Sequence, residues 1–190
     1  MARTRLTPER ESELYAAVLD LLREVGYDAL TMDAVAARTR SSKATLYRQW
    51  GSKPELVVKA LRHNKPVSLG EIDTGSLRGD FHVALSRNDD CQMEKDSALM
   101  RGLSQAVHDN PDLHKALREL LIEPEMTGLD LLMRRAVDRG ELRPDNPALK
   151  YIPHMLIGAL AARQLVEDRA VDQAFLIDYV DSVVLPALGV

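Results

Sequence analysis

Between residues 40 and 48 the chain sets hydroxyls at Ser41, Ser42, Thr45 and Tyr47 among cations at Arg40, Lys43 and Arg48. Side chains of these types donate hydrogen bonds to phosphate oxygens and to the acceptor edges of bases. The chemistry they suit is polyanion recognition. Charge along the chain agrees: residues 1–65 hold 12 Lys and Arg against 8 Asp and Glu, whereas residues 66–190 hold 13 against 21. A polyanion is thus drawn to the first third and repelled by the rest. Within that third, Lys43 and Thr45 stand nearest the place where bases would lie, and Tyr47, Lys53, Arg40 and Arg48 are candidates for phosphate. Thr31 and Ser42 offer hydroxyls at two helix starts. Arg3 and Arg5 form a short basic arm of the kind that reaches a minor groove.

Other chemistry finds little support. Cys91 is the single cysteine, so it has no partner for an internal disulfide, and no Cys/His spacing suits zinc. His108, His114 and His154 are isolated from one another and from Cys91. No nucleophile–base pair, paired carboxylates or metal set stands out, so we expect no catalytic residues, no metal and no cofactor. The start of the chain carries no signal-like apolar stretch, and the longest apolar run, Met155 to Ala162, is too short to span a bilayer. A cytoplasmic protein with no membrane segment is expected.

Short capped helices must hold the polar cluster. Thr7, Pro8 and Glu9 mark a helix start, and Leu14, Ala17, Val18, Leu21, Leu22 and Val25 follow at helical period until Gly26 offers a stop. Thr31 caps a second helix through Met32, Val35 and Ala36, and Ser42 caps a third through Ala44, Leu46 and Tyr47. Val35, Ala36, Leu46 and Trp50 are expected to join these two, with Ala37 and Ala44 permitting a close crossing. Ser52 and Glu55 then open a fourth helix in capping-box spacing. The second and third helices read as a helix-turn-helix.

These residues resemble the TetR repressors, through Thr31, Val35-Ala36, Ser42, Thr45-Leu46-Tyr47, Trp50 and Ser52-Lys53-Pro54-Glu55-Leu56. The resemblance covers about residues 10–62. It implies an all-α fold with an N-terminal three-helix DNA-binding domain, taken as residues 1–63, and a C-terminal helical ligand-binding and dimerisation domain, residues 64–190. It also implies a homodimer on double-stranded operator DNA of near-palindromic sequence, released by a small-molecule effector. One departure stands at the turn, where the family's alanine-glycine-valine is replaced by Thr39-Arg40-Ser41. A left-handed arginine there costs about 1 kcal/mol relative to glycine. The altered turn leaves open a rival, a helical small-molecule-binding or interaction protein without operator binding.

Pro66, Gly70, Gly75 and Gly79 loosen the chain after the fourth helix. Beyond them we expect helices near 77–88, 94–108, 111–139 (kinked or split at Pro124), 147–167 and 172–188. The span Ile152 to Ala162 is apolar around most of its circumference and is expected to be buried on two sides. The dimer interface is assigned to Leu156, Ala159, Leu160 and Arg163 with Leu176, Val180, Val183 and Val184. The adaptable side chains Met93, Met100, Leu103, Met126, Leu129 and Met133, with His154, are the ligand-pocket candidates.

Overall fold

Thr7 accepts a hydrogen bond from the Arg10 amide and Pro8 takes the first helical position, so α1 (Pro8–Ala29) begins where its capping residues dictate. The computed structural model describes residues 7–63, 68–87 and 90–190, with the side chains at 91–92, 96–98 and 100–101 outside the description. Arg3, Arg5 and the side chain of Met100 therefore lie outside the described residues.

Gly26 interrupts α1 with φ 75° and ψ 171°, a conformation that only glycine adopts readily. One further turn follows and is closed by the Leu30 amide on the carbonyls of Gly26 and Tyr27. Val25, the last residue before the break, is exposed although its spacing assigned it to the buried stripe. Helices α2 (Met32–Thr39), α3 (Lys43–Trp50) and α4 (Lys53–His63) complete the head.

No strand occurs among the described residues, and they divide into two compact units. The first is the head together with residues 98–123. Its core joins Leu14, Val18 and Leu22 to Leu46, Trp50, Leu56 and Val57, and to Leu103, Leu113 and Leu121 from further along the chain. The second unit comprises residues 66–97 and 124–190, with a core around Leu77, Phe81, Leu132, Ala136, Ile152, Val180 and Val184. Residues 98–123, which the sequence reading assigned to the C-terminal domain, thus pack with the head.

Past α4 the chain forms α5 (Leu77–Leu85), α6 (Asp90–Asp109), α7 (Pro111–Leu117), α8 (Glu123–Asp138), α9 (Ile152–Glu167), α10 (Gln173–Tyr179) and α11 (Leu185–Leu188). The expected break at Pro124 is a π turn over Arg118–Ile122, and a second π turn over Val180–Val184 lies just before Pro186. A proline within a helix donates no amide hydrogen, and a wider turn ahead of it accommodates the missing bond without ending the helix. Asn110 caps α7 as its spacing predicts. Asn146 does not open a helix at 147: its amide group donates to the Ala187 and Leu188 carbonyls, and α9 starts only at Ile152.

Within the second unit, Asp80 is fully buried and accepts hydrogen bonds from Thr74 and from Arg139. This charge-assisted cluster ties the loop before α5 to the end of α8. A buried carboxylate so paired is costly to strip of its partner.

Candidate nucleic-acid interface

Val35, Leu46 and Trp50 are buried, with Ala36 packed against them, and they hold α2 and α3 together. Each helix is capped by its own side chain. Thr31 Oγ1 accepts from the Ala34 amide at 3.1 Å, and Ser42 Oγ accepts from the Thr45 amide at 3.1 Å. The turn between them closes despite the absence of glycine. Arg40 lies in the left-handed region at φ 50°, ψ 39°, and the Ser41 amide donates to the Ala36 carbonyl at 3.0 Å, the six-to-one bond of a Schellman motif. The helix-turn-helix is therefore fully formed around Thr39-Arg40-Ser41.

On α3, Lys43, Ala44, Tyr47 and Arg48 are exposed, at positions that fall on one stripe of the helix, while Leu46 and Trp50 point into the core. Tyr47 keeps 45% of its surface free. Arg40 and Arg48 carry no guanidinium hydrogen bond or ion pair among the described residues. Lys43 donates to Asp33 Oδ2 at 2.8 Å, which raises its pKa. The Thr45 hydroxyl is held 2.8 Å from that of Ser42. Ala37 and Ala44 are both exposed and do not line the crossing of α2 and α3, contrary to expectation. Ala44 instead offers a methyl group on the same stripe as Lys43 and Tyr47.

Lys53 is a second correction. Its ammonium donates to the carbonyls of Tyr27 (2.8 Å) and Leu30 (2.9 Å) and stands 4.1 Å from the Tyr27 ring centre. Burial lowers its pKa. The group foreseen at a phosphate is thus committed to two backbone carbonyls at the C-terminal end of α1.

Two supporting residues escaped the sequence reading. Arg10 donates to the Thr39 carbonyl at the C-terminal end of α2 and pairs with Glu13, so α1 steadies the unusual turn. Tyr15 accepts from the Trp50 indole at 2.9 Å and donates to Glu11 at 3.0 Å, which locks α3 to α1. Buried Trp and Tyr need such partners, and that requirement is a signal in the sequence for Tyr15, though not for Arg10.

The family model described as bacterial regulatory proteins, tetR family, matches residues 14–60, and that described as tetracyclin repressor-like, C-terminal domain, matches residues 71–183. The chain belongs to the TetR family. Across 94% of this chain and 88% of the relative's, it is 36% identical to an uncharacterised HTH-type transcriptional regulator of Mycobacterium bovis. It is 32% identical to a DNA-binding transcriptional repressor TetR of Mycobacteroides abscessus, over 93% of this chain and 92% of the other. A crystal structure of a TetR family transcription regulator superposes with a TM-score of 0.71 at 29% identity, covering 94% of this chain and 98% of that one. The matched N-terminal segment contains the whole of α2 and α3, and the chain is accordingly a helix-turn-helix transcriptional regulator of TetR type.

The second TetR match spans most of the residues expected at an interface or a pocket. Leu160 and Val183 are exposed and Leu156 is half-buried, but Ala159, Arg163, Leu176, Val180 and Val184 are buried within their own unit. Arg163 forms a two-pronged ion pair with Asp172 at 3.2 and 3.0 Å and stacks on Phe175. In the single chain those five residues are covered, and Leu160, Val183 and part of Leu156 are the interface candidates left accessible. The pocket candidates are divided between the two units. Leu103 belongs to the core of the first unit, Leu129 and Met133 to that of the second with Met126 against it, Met93 is half-buried, and His154 is exposed beside Tyr151. Among the described residues no cluster of His, Cys, Asp or Glu is arranged to hold a metal, and no helix is long and apolar enough to cross a membrane.

Proposed function

We propose that this regulator is a cytoplasmic repressor that grips a near-palindromic operator as a homodimer and is released when a small molecule binds its second unit. The observation that carries the DNA reading is the exposed stripe Lys43, Ala44, Tyr47 and Arg48 on a well-capped α3, with Arg40 at its threshold. Lys43 and Thr45 face base edges, Ala44 offers a methyl for thymine contact, and Arg40, Tyr47 and Arg48 take phosphates. Thr31 and Ser42 add the amide-rich starts of α2 and α3 to the same surface. The DNA-reading segment ends near residue 63, and the residues after it serve dimerisation and ligand response. The similarity to a DNA-binding transcriptional repressor of Mycobacteroides abscessus supports the direction of control.

Pairing is supported by α9. His154, Ile157, Gly158, Ala161 and Leu165 form one exposed stripe opposite the buried Ile152, Ala159 and Arg163. A second copy of the chain, adding Leu160 and Val183 at the edges, covers this stripe in a two-fold bundle and places two α3 helices on half-sites about one DNA turn apart. The effector then favours an arrangement in which those helices no longer match the half-site spacing, with no cofactor involved.

Purified protein incubated with fragments of its source genome is expected to retain a few near-palindromic sites. Arg40 and Arg48 from two subunits, at about 0.9 per neutralised phosphate, give a log–log salt slope near −3.6 from these four cations. Indifference to every duplex at low ionic strength would overturn the reading.

A further inference from the structure

Most cations described in the head are already engaged, Arg40, Arg48 and Arg62 excepted. Arg10 pairs with Glu13, Arg23 with Asp20, Arg38 with Glu24, Lys59 with Glu55, and Lys53 is held by two carbonyls. These pairs lie off the exposed stripe of α3. One does not: Lys43, the first residue of α3, is joined to Asp33 in the first turn of α2, at 2.8 Å across the helix-turn-helix.

A carboxylate beside the recognition stripe repels an approaching polyanion, so its presence needs a reason. Stability is a weak one. Both side chains are largely exposed, 49% for Lys43 and 72% for Asp33, and exposed pairs contribute little to the fold. Geometry offers a better one. An unrestrained lysine on the first turn of a helix in a groove sweeps a wide arc and takes any phosphate within reach, since a lysine ammonium is a compact charge on a flexible stem. Bonded to Asp33, the same ammonium has its charge offset and two of its three N–H groups left to donate from a fixed place.

We propose that Asp33 is a positioning residue for operator choice: by holding Lys43 it withdraws that lysine from phosphates and aims it at a base acceptor, with guanine O6 and N7 the matching edge. Discrimination arises because the duplex backbone gains nothing from the neutralised pair, while a correctly placed guanine gains a donor. Asp33 thus lowers affinity for DNA in general and widens the gap between the operator and everything else. This rests on the operator-binding reading above.

The test uses the full-length protein, a duplex selected from a randomised library by the wild type, and a scrambled duplex of equal length and composition. Asp33→Asn frees Lys43 for phosphates. Binding to the scrambled duplex is expected to tighten, and its log–log salt slope to steepen by about 0.9 per subunit. The ratio of selected to scrambled affinity is expected to fall by several-fold to roughly tenfold, the size of one exposed pair lost in each of two subunits. In a Lys43→Met background the same Asp33→Asn change is expected to leave the slope and the ratio alone, because the residue it acts through has gone. An unchanged slope and ratio in the single variant, equal weakening on both duplexes, or an effect that persists without Lys43 overturns the role of Asp33. Failure of the wild type to bind either duplex overturns operator binding itself, which keeps the two failures apart.

Discussion

Arg40 occupies the left-handed position of the turn between α2 and α3, and among the described residues its guanidinium makes no hydrogen bond or ion pair. Its φ of 50° is a conformation that glycine adopts without penalty and that costs an arginine about 1 kcal/mol. Arg40→Gly is therefore expected to raise the urea midpoint by an amount equivalent to about 1 kcal/mol, and also to flatten the operator salt slope by about 0.9 per subunit through loss of one phosphate contact. Stability and binding moving in opposite directions would mark a side chain retained for DNA. An unchanged slope would reduce Arg40 to a tolerated oddity of the turn. The phenols of Tyr15 and Tyr27 report on the same head. Burial raises both from 10.0 to about 12. Over that window the folded chain keeps two protons that the unfolded chain has released, so stability is complete below about pH 10 and falls as the pH climbs toward 12. Denaturant midpoints taken across this range are expected to drop, with the late phenolate absorbance missing from Tyr15→Phe and Tyr27→Phe.

At the scale of elements, two glycines in helices separate intrinsic propensity from packing. In α8, a Cβ on Gly128 would lie 2.9 Å from the Gly70 amide nitrogen and 3.1 Å from the Ser68 hydroxyl, so the short 3-10 segment Leu69–Glu71 rests directly against the helix backbone. In α6, a Cβ on Gly102 would meet nothing within 4 Å. Gly102→Ala is expected to stabilise the protein by about 0.5–1 kcal/mol from helix propensity. Gly128→Ala carries the same benefit and is expected nonetheless to destabilise by about 1–2 kcal/mol, because overpacking against backbone outweighs it. Thermal unfolding of the two variants gives shifts of opposite sign if this is right. The sequence could not distinguish them, since the neighbour of Gly128 is 58 positions away in the chain. The same limit explains what else was legible. Caps at Thr7, Thr31, Ser42 and Asn110 were readable because a cap acts over three residues. The roles of Lys53 and Asn146 were not, because their partners are more than twenty residues distant and an amine or amide does not announce which carbonyl it serves. In an eight-residue helix such as α3, spacing places Ala44 no better than one face in two, and only the packing of Leu46 and Trp50 decides that it points outward.

For the whole molecule the outstanding quantity is the apolar stripe of α9. Apolar side chains left at 89% exposure for Leu165 and 50% for Ile157 on one helix face are a liability for a lone protomer and an asset for a pair. Five of the eight interface candidates read from the sequence are buried, and for the two on α9, Ala159 and Arg163, the reason is that an all-round apolar helix gives no clue to which side its own chain will cover. The two faces predict different failures. Leu165→Glu alters a side chain that its own subunit hardly touches, so the circular dichroism of the variant is expected to match the wild type while sedimentation shows monomers at concentrations where the wild type is paired. Operator affinity is then expected to fall by about 10²–10⁴, the advantage of linking two recognition helices on one rigid body. Val184→Asp, by contrast, puts a charge at a position with no exposure in the second core, and is expected to cost helicity and stability first, with any loss of pairing a consequence. A Leu165→Glu protein that stays dimeric would move the interface off α9, and one that loses operator binding while dimeric would show that α9 conveys something other than pairing to the head.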